Sequence, residues 1–184
     1  VCADFSGVDV RPGARGLSRR QPLARALGAR TRTVIAATAG LGQDAFLLAC
    51  LGYRVTAIER APVLAVLLRD GLARAAADPV QRNALGDRLC VITGDARLLL
   101  REMTPPDAVF LDPMFPPKRR KSALARKEIQ IIRRVVGDDP DALELFAVAR
   151  ASARERVVVK RPTSAPPLAP RPSMSYVSKL VRYD

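Results

Sequence analysis

Histidine is absent from the 184 residues, and cysteine occurs three times, at Cys2, Cys50 and Cys90. Without imidazole, no Cys/His metal site can be assembled and histidine is available neither as a base nor as a ligand. No metal is expected. Three widely spaced thiols do not make a disulfide framework. Cys50 and Cys90 lie in apolar runs and read as buried thiols, which fits a reducing, cytoplasmic setting. No apolar run approaches the roughly 18 residues of a membrane span, and no signal-peptide pattern opens the chain. Acids are also scarce: 18 Asp and Glu face 31 Lys and Arg, for a net charge of +13. Such an excess favours a polyanion partner, nucleic acid before an anionic membrane. An arginine-rich coding bias is the plain alternative. Clustering argues against it, because Lys118 to Arg134 holds eight basic residues and one acid, Glu128.

What is present suits one domain with a real core: 48% of the residues are hydrophobic. Residues 1–32 read as a basic lead-in segment with a short helix over 21–27. From residue 33 to 184 the pattern becomes regular. Strands are expected over 33–37, 54–59, 88–92, 107–111 and 155–160, with helices over 44–51, 62–77, 95–103, 122–136 and 140–152. Five prolines in 162–172 exclude regular structure there. Alternation over 176–183 predicts a final strand. Strands alternating with helices imply an α/β fold with an open, mostly parallel sheet covered on both faces.

Four motifs carry chemistry. The turn Thr38-Ala39-Gly40-Leu41-Gly42-Gln43-Asp44-Ala45 joins the first strand to its helix. Its glycines let backbone approach a ligand, and a helix N-terminus attracts negative charge. Glu59 ends the second strand, 19 residues after Gly40, where a carboxylate can accept both hydroxyls of a ribose. Gly40-x-Gly42-x-x-Ala45 also fits a dinucleotide fingerprint, so a nicotinamide-dependent oxidoreductase stays open. Asp95, in Thr93-Gly94-Asp95-Ala96, either caps its helix or accepts a hydrogen bond from an adenine amine, with Ala96 leaving room for the ring.

The third motif is Leu111-Asp112-Pro113-Met114-Phe115-Pro116-Pro117. It delivers a carboxylate and an aromatic ring to the end of the fourth strand. An aryl amine's lone pair is delocalised into its ring, so hydrogen bonds to Asp112 would orient that nitrogen toward a methyl donor. Phe115 is placed to stack on the base, a contact worth about 1–3 kcal/mol, or to tuck into the core. Amino-directed methyltransferases carry an Asp/Asn-Pro-Pro-aromatic loop here, and Met114 takes the place of the second proline. The fourth motif is basic: Lys118, Arg119, Arg120 and Lys121, with Lys160 and Arg161 at the fifth strand's end. All six read as phosphate contacts that give affinity without base specificity. A third possibility is an RNA-binding domain without catalysis.

The runs 37–46, Ile58-Glu59-Arg60, 67–74, 111–116 and 157–162 together resemble the ribosomal RNA small subunit methyltransferase J family across nearly the whole chain. That resemblance implies a Rossmann-like class I fold dependent on S-adenosylmethionine. It implies methylation of the exocyclic N2 of a guanine in 16S ribosomal RNA (guanosine 1516 in the family), with the RNA or the small ribosomal subunit as partner. Carried over by position, it puts Gln43 and Asp44 near the cofactor's methionine end and Glu59 and Arg60 by the ribose. Asp95 and Ala96 would flank the adenine, and Asp112 would lie between cofactor and target amine. Ala36 stands where the family usually has an acid that helps hold the methionine amine, with Asp44 as a candidate substitute. The resemblance also implies a smaller N-terminal region ahead of Val1, which is not an initiator methionine, and a tail beyond Asp184.

Overall fold

A computed structural model describes residues 2–11, 17–114, 137 and 139–184. In chain order the elements are α1 (Pro22–Leu27), β1 (Thr33–Ala36), α2 (Gln43–Cys50), β2 (Arg54–Glu59), α3 (Pro62–Ala77), α4 (Pro79–Leu85), β3 (Leu89–Thr93) and α5 (Ala96–Glu102). They continue with β4 (Ala108–Leu111), α6 (Ala142–Ser152), β5 (Arg156–Pro162), β6 (Tyr176–Val177) and β7 (Val181–Tyr183). The sheet runs β3-β2-β1-β4-β5-β7-β6. It is parallel from β3 to β5, and β7 enters antiparallel beside β5. The chain order reverses between β1 and β4, leaving a crevice beyond their carboxyl ends, the usual ligand position in open α/β sheets.

Strand alternation explains the two cores. Val34 and Ala36 face α2 and the N-terminal segment, with Val55, Ala57, Phe110 and Val158 beside them. Ile35, Ile58, Val109, Leu111 and Val159 face the opposite way, against Leu100 of α5 and Leu145, Val148 and Ala149 of α6. The central strand β4 is buried along its whole length, as a strand covered on both faces must be.

The N-terminal residues pack onto the sheet domain. Ala3, Phe5 and Val10 belong to the same core as β1. Phe5 stacks on Phe46 of α2, with ring centroids 4.3 Å apart and planes 9° off parallel. Ala3 lies so close to α3 that a Cβ at Gly71 would come within 2.6 Å of its side chain. That approach is possible only because Gly71 has no side chain.

Two sequence expectations change, and one element is added. A helix, α4, occupies a stretch to which the sequence reading assigned no element: Asp78 caps it by accepting hydrogen bonds from the Val80 and Gln81 amides at 2.8 and 3.0 Å, and Pro79 fills its first turn. The final strand is a hairpin, β6 and β7, joined through Ser178. Cys90 is exposed rather than buried, because β3 is an edge strand. Cys50 is half-buried, and burial pushes its thiol up to about 11. Because the thiolate is the nucleophile, a maleimide at pH 7.5 is expected to label Cys2 and Cys90 quickly and Cys50 slowly. Intact mass over time reads this as two fast additions and one slow one. Rapid triple labelling of the folded chain would contradict it. The helix expected over 122–136 lies outside the described residues.

Candidate active site

The crevice at the β1/β4 reversal opens into a cavity of about 1100 Å³. That volume is at the upper end of the range usual for small-molecule sites. Its walls bring together residues far apart in sequence: Gly40, Gly42, Gln43, Asp44, Glu59, Arg60, Asp95, Ala96, Asp112 and Lys160 all line it.

The turn after β1 takes its shape from two glycines in the left-handed region, Gly40 (φ 56°) and Gly42 (φ 79°). Glu59 fastens that turn from β2. Its Oε2 accepts the Gly40 amide at 2.7 Å and its Oε1 accepts the Ala61 amide at 2.8 Å. The carboxylate is only 7% exposed, yet each oxygen retains a second lone pair for a hydroxyl. The Thr38 hydroxyl accepts the Asp112 amide at 2.7 Å, which ties this turn to the loop after β4.

Asp95 takes the capping role of the two that the sequence offered. It caps α5 by accepting the Arg97 amide at 2.9 Å and also pairs with the Arg97 guanidinium at 2.6 Å. Those hydrogen bonds from Arg97 hold its carboxyl below the ordinary range. Ala96 is buried beside it. Gln43 turns its amide to the Asp4 carbonyl, so the N-terminal segment forms part of the same wall. Arg60 lines the cavity, but its guanidinium is taken up by Asp139 and Asp141. Asp139 also accepts the Met114 amide at 2.7 Å, bracing the loop that carries Asp112. Sequence reading missed Asp4, Arg97, Asp139 and Asp141, all of which line the cavity. No local motif marks Asp139 and Asp141, because Arg60 and Arg97 reach them from other elements.

Two expected phosphate contacts are corrected. Lys160 points inward: its Nζ lies 2.6 Å from Asp44 Oδ2 and 2.9 Å from Asp112 Oδ2. Arg161, on the opposite side of β5, is 5% exposed, which leaves no surface for a phosphate. Phe115, Lys118, Arg119, Arg120 and Lys121 lie outside the described residues. Ala36 is buried at the cavity's edge, and the carboxylate of Asp44, its candidate substitute, is held by Lys160.

With the crevice and its carboxylates in place, comparison with known proteins is decisive. A family model described as "Putative SAM-dependent methyltransferase" matches residues 1–184. A ribosomal RNA small subunit methyltransferase J of Thioalkalivibrio sulfidiphilus is 48% identical over 93% of this chain and 69% of its own length. That of Agrobacterium fabrum is 44% identical, over 98% and 89%. The chain belongs to the ribosomal RNA small subunit methyltransferase J family. A crystal structure of an S-adenosylmethionine-dependent methyltransferase from Neisseria gonorrhoeae shares the fold with a TM-score of 0.74 and 35% identity, over all of this chain and 73% of that one.

Membership of the methyltransferase J family makes the chain an S-adenosylmethionine-dependent enzyme, and the nicotinamide alternative falls. The cavity fits that cofactor on its own geometry. A side chain at Gly40 would meet nothing within 4 Å, so the turn offers bare backbone to a ligand. Glu59 and Ala96 line the same cavity, and the Glu59 oxygens each keep a lone pair free for a hydroxyl. Among the described residues, no helix of this methyltransferase J chain is long and apolar enough to cross a membrane.

Proposed function

We propose that this chain transfers a methyl group from S-adenosylmethionine to the exocyclic N2 of a guanine in 16S ribosomal RNA, in the cytoplasm, on the RNA or the small ribosomal subunit. The observation that carries this reading is Asp112. Its carboxylate lies at the end of β4, at the sheet's reversal, in the same cavity as the Gly40 turn and Glu59.

The chemistry of the base favours guanine. Guanine presents N1–H and N2–H side by side, so one carboxylate accepts from both. Adenine and cytosine have a ring acceptor in place of that second N–H, so they offer a carboxylate the amine alone. The bound cofactor supplies an electrophilic methyl on a sulfonium. The protein's share is positioning and electrostatics. Gly40 and Gly42 admit the cofactor, with Gln43, Asp44, Glu59, Arg60, Asp95 and Ala96 around it. Asp112 orients the amine and receives hydrogen bonds that strengthen as the nitrogen becomes more acidic on alkylation. Phe115 is assigned the stacking role and Lys118 to Lys121 the RNA backbone, as the sequence suggested.

A tritiated methyl-transfer assay on unmodified 16S RNA and on small subunits, followed by nucleoside analysis, tests this. Label in N2-methylguanosine is the expected result. Label in adenosine or in protein overturns the guanine reading, and RNA binding without transfer favours a non-catalytic domain.

A further inference from the structure

Two carboxylates assigned to different ends of the reaction meet at one ammonium. Lys160 follows Val159, which pairs with Leu111 across β4 and β5, so Lys160, still within β5, lies beside Asp112, the first residue after β4. Its Nζ reaches Asp112 Oδ2 at 2.9 Å and, across the cavity floor, Asp44 Oδ2 at 2.6 Å. Its side chain is 22% exposed, against 35% for Asp112. Among the described residues, Asp112 Oδ1 carries no hydrogen bond of its own and Oδ2 is bound by Lys160 alone. We propose that Lys160 is a positioning residue: it pins one oxygen of Asp112, leaves the other to the target amine, and keeps the carboxylate an acceptor.

The need for such a residue follows from the charges around Asp112. Burial pushes its carboxyl above the ordinary range, Lys160 opposes that, and Asp44 and Asp139 push it further up. Tyr183, paired with Lys160 in the sheet register, completes the enclosure. Burial holds its phenol protonated up to about 12, so it contributes no charge near neutral pH. Burial works against charge on Lys160 as well, but Asp112 and Asp44 outweigh it and its pKa is raised. Without that cation, two neighbouring carboxylates would share a pocket, and one of them would take up a proton. A protonated Asp112 would present an O–H donor to an amine that needs an acceptor.

The inference rests on the reading of Asp112 given above, so its test has two independent arms. In the first, the Asp112 carboxyl carbon is followed by ¹³C NMR across pH in wild type and Lys160→Met, with Asp112→Asn providing the assignment. The Asp112 midpoint is expected to rise by about one unit or more in Lys160→Met. In the second, methyl transfer is measured against pH at saturating cofactor and RNA. Lys160→Met is expected to lower kcat at neutral pH by about ten-fold or more and to shift the acid limb upward. Lys160→Arg, which keeps the cation, is expected to restore the wild-type limb.

An unmoved Asp112 midpoint overturns the proposal whatever the activity. So does a loss confined to KM for the cofactor with kcat and the acid limb intact. If Lys160→Met does not fold, Lys160→Gln is read the same way. Failure of the wild type to methylate RNA would sink the functional reading instead, while the NMR arm still decides whether Lys160 governs Asp112.

Discussion

Asp112→Ala is expected to reduce methyl transfer by about 100-fold to 1000-fold, the scale of losing one preorganised electrostatic contact. S-adenosylmethionine binding, measured by calorimetry, is expected to change by no more than a few-fold. The separation is possible because the loop at Asp112 is fastened to the scaffold through backbone amides as well as through the carboxylate's pairing with Lys160. The Asp112 amide bonds the Thr38 hydroxyl, and Asp139 holds the following loop through the Met114 amide. Removing the carboxylate therefore leaves the loop in place, and Lys160 still pairs with Asp44. Asp112→Asn provides a sharper version. The amide keeps the shape but turns one acceptor into a donor facing the target amine. Activity within ten-fold of wild type in both variants would remove Asp112 from the reaction.

Gly42→Ala is expected to destabilise the protein by about 2–5 kcal/mol. A left-handed backbone costs an L-residue about 1–2 kcal/mol, and overpacking adds about 1–3 kcal/mol. The added methyl would lie 2.3 Å from Leu68 Cδ1, and Leu68 is fully buried and cannot swing aside. Thermal unfolding would register this as a drop in Tm of about 5–15 °C. Gly40→Ala is the paired control. Its φ of 56° carries the same conformational cost, but its methyl would enter open space on the cavity side. Gly40→Ala is therefore expected to cost about 1–2 kcal/mol while weakening cofactor binding by about ten-fold or more, because the methyl stands where backbone should meet ligand. Equal stability losses in the two variants, with unchanged cofactor affinity in both, would contradict this account of the turn.

The repeating α/β frame was legible because its signals are local. β2 and α3 fall where alternation and the proline at residue 62 place them, and the other strands differ by a residue or two at their ends. The same proline signal, at Asp78-Pro79, marks the start of α4. Cys90 misled because an apolar run does not say whether its strand is central or at an edge, and edge position is a property of the whole sheet. The site divided along the same line. Gly40, Gly42, Glu59 and Asp112 announce themselves by their places at strand ends, and they converge on one cavity. Lys160 looked like another member of a basic surface. Its partners, 116 and 48 residues away, are carboxylates that only the sheet order brings beneath it. Asp139 and Asp141 likewise acquire meaning only once Arg60 and Arg97 are seen to reach them.

The stack of Phe5 on Phe46 and the seat of Ala3 on Gly71 also set an order of events during synthesis. Residues 3–5 cannot find their places until α2 and α3, some 40 to 70 residues further along the chain, are present. Until then an apolar strip waits without a partner, and the wall that carries Asp4 is missing from the cavity. The contact is long-range, and loop closure must be completed before it stabilises anything. Completion of the cavity wall thus depends on docking of residues 3–5 against α2 and α3 as well as on formation of the strands.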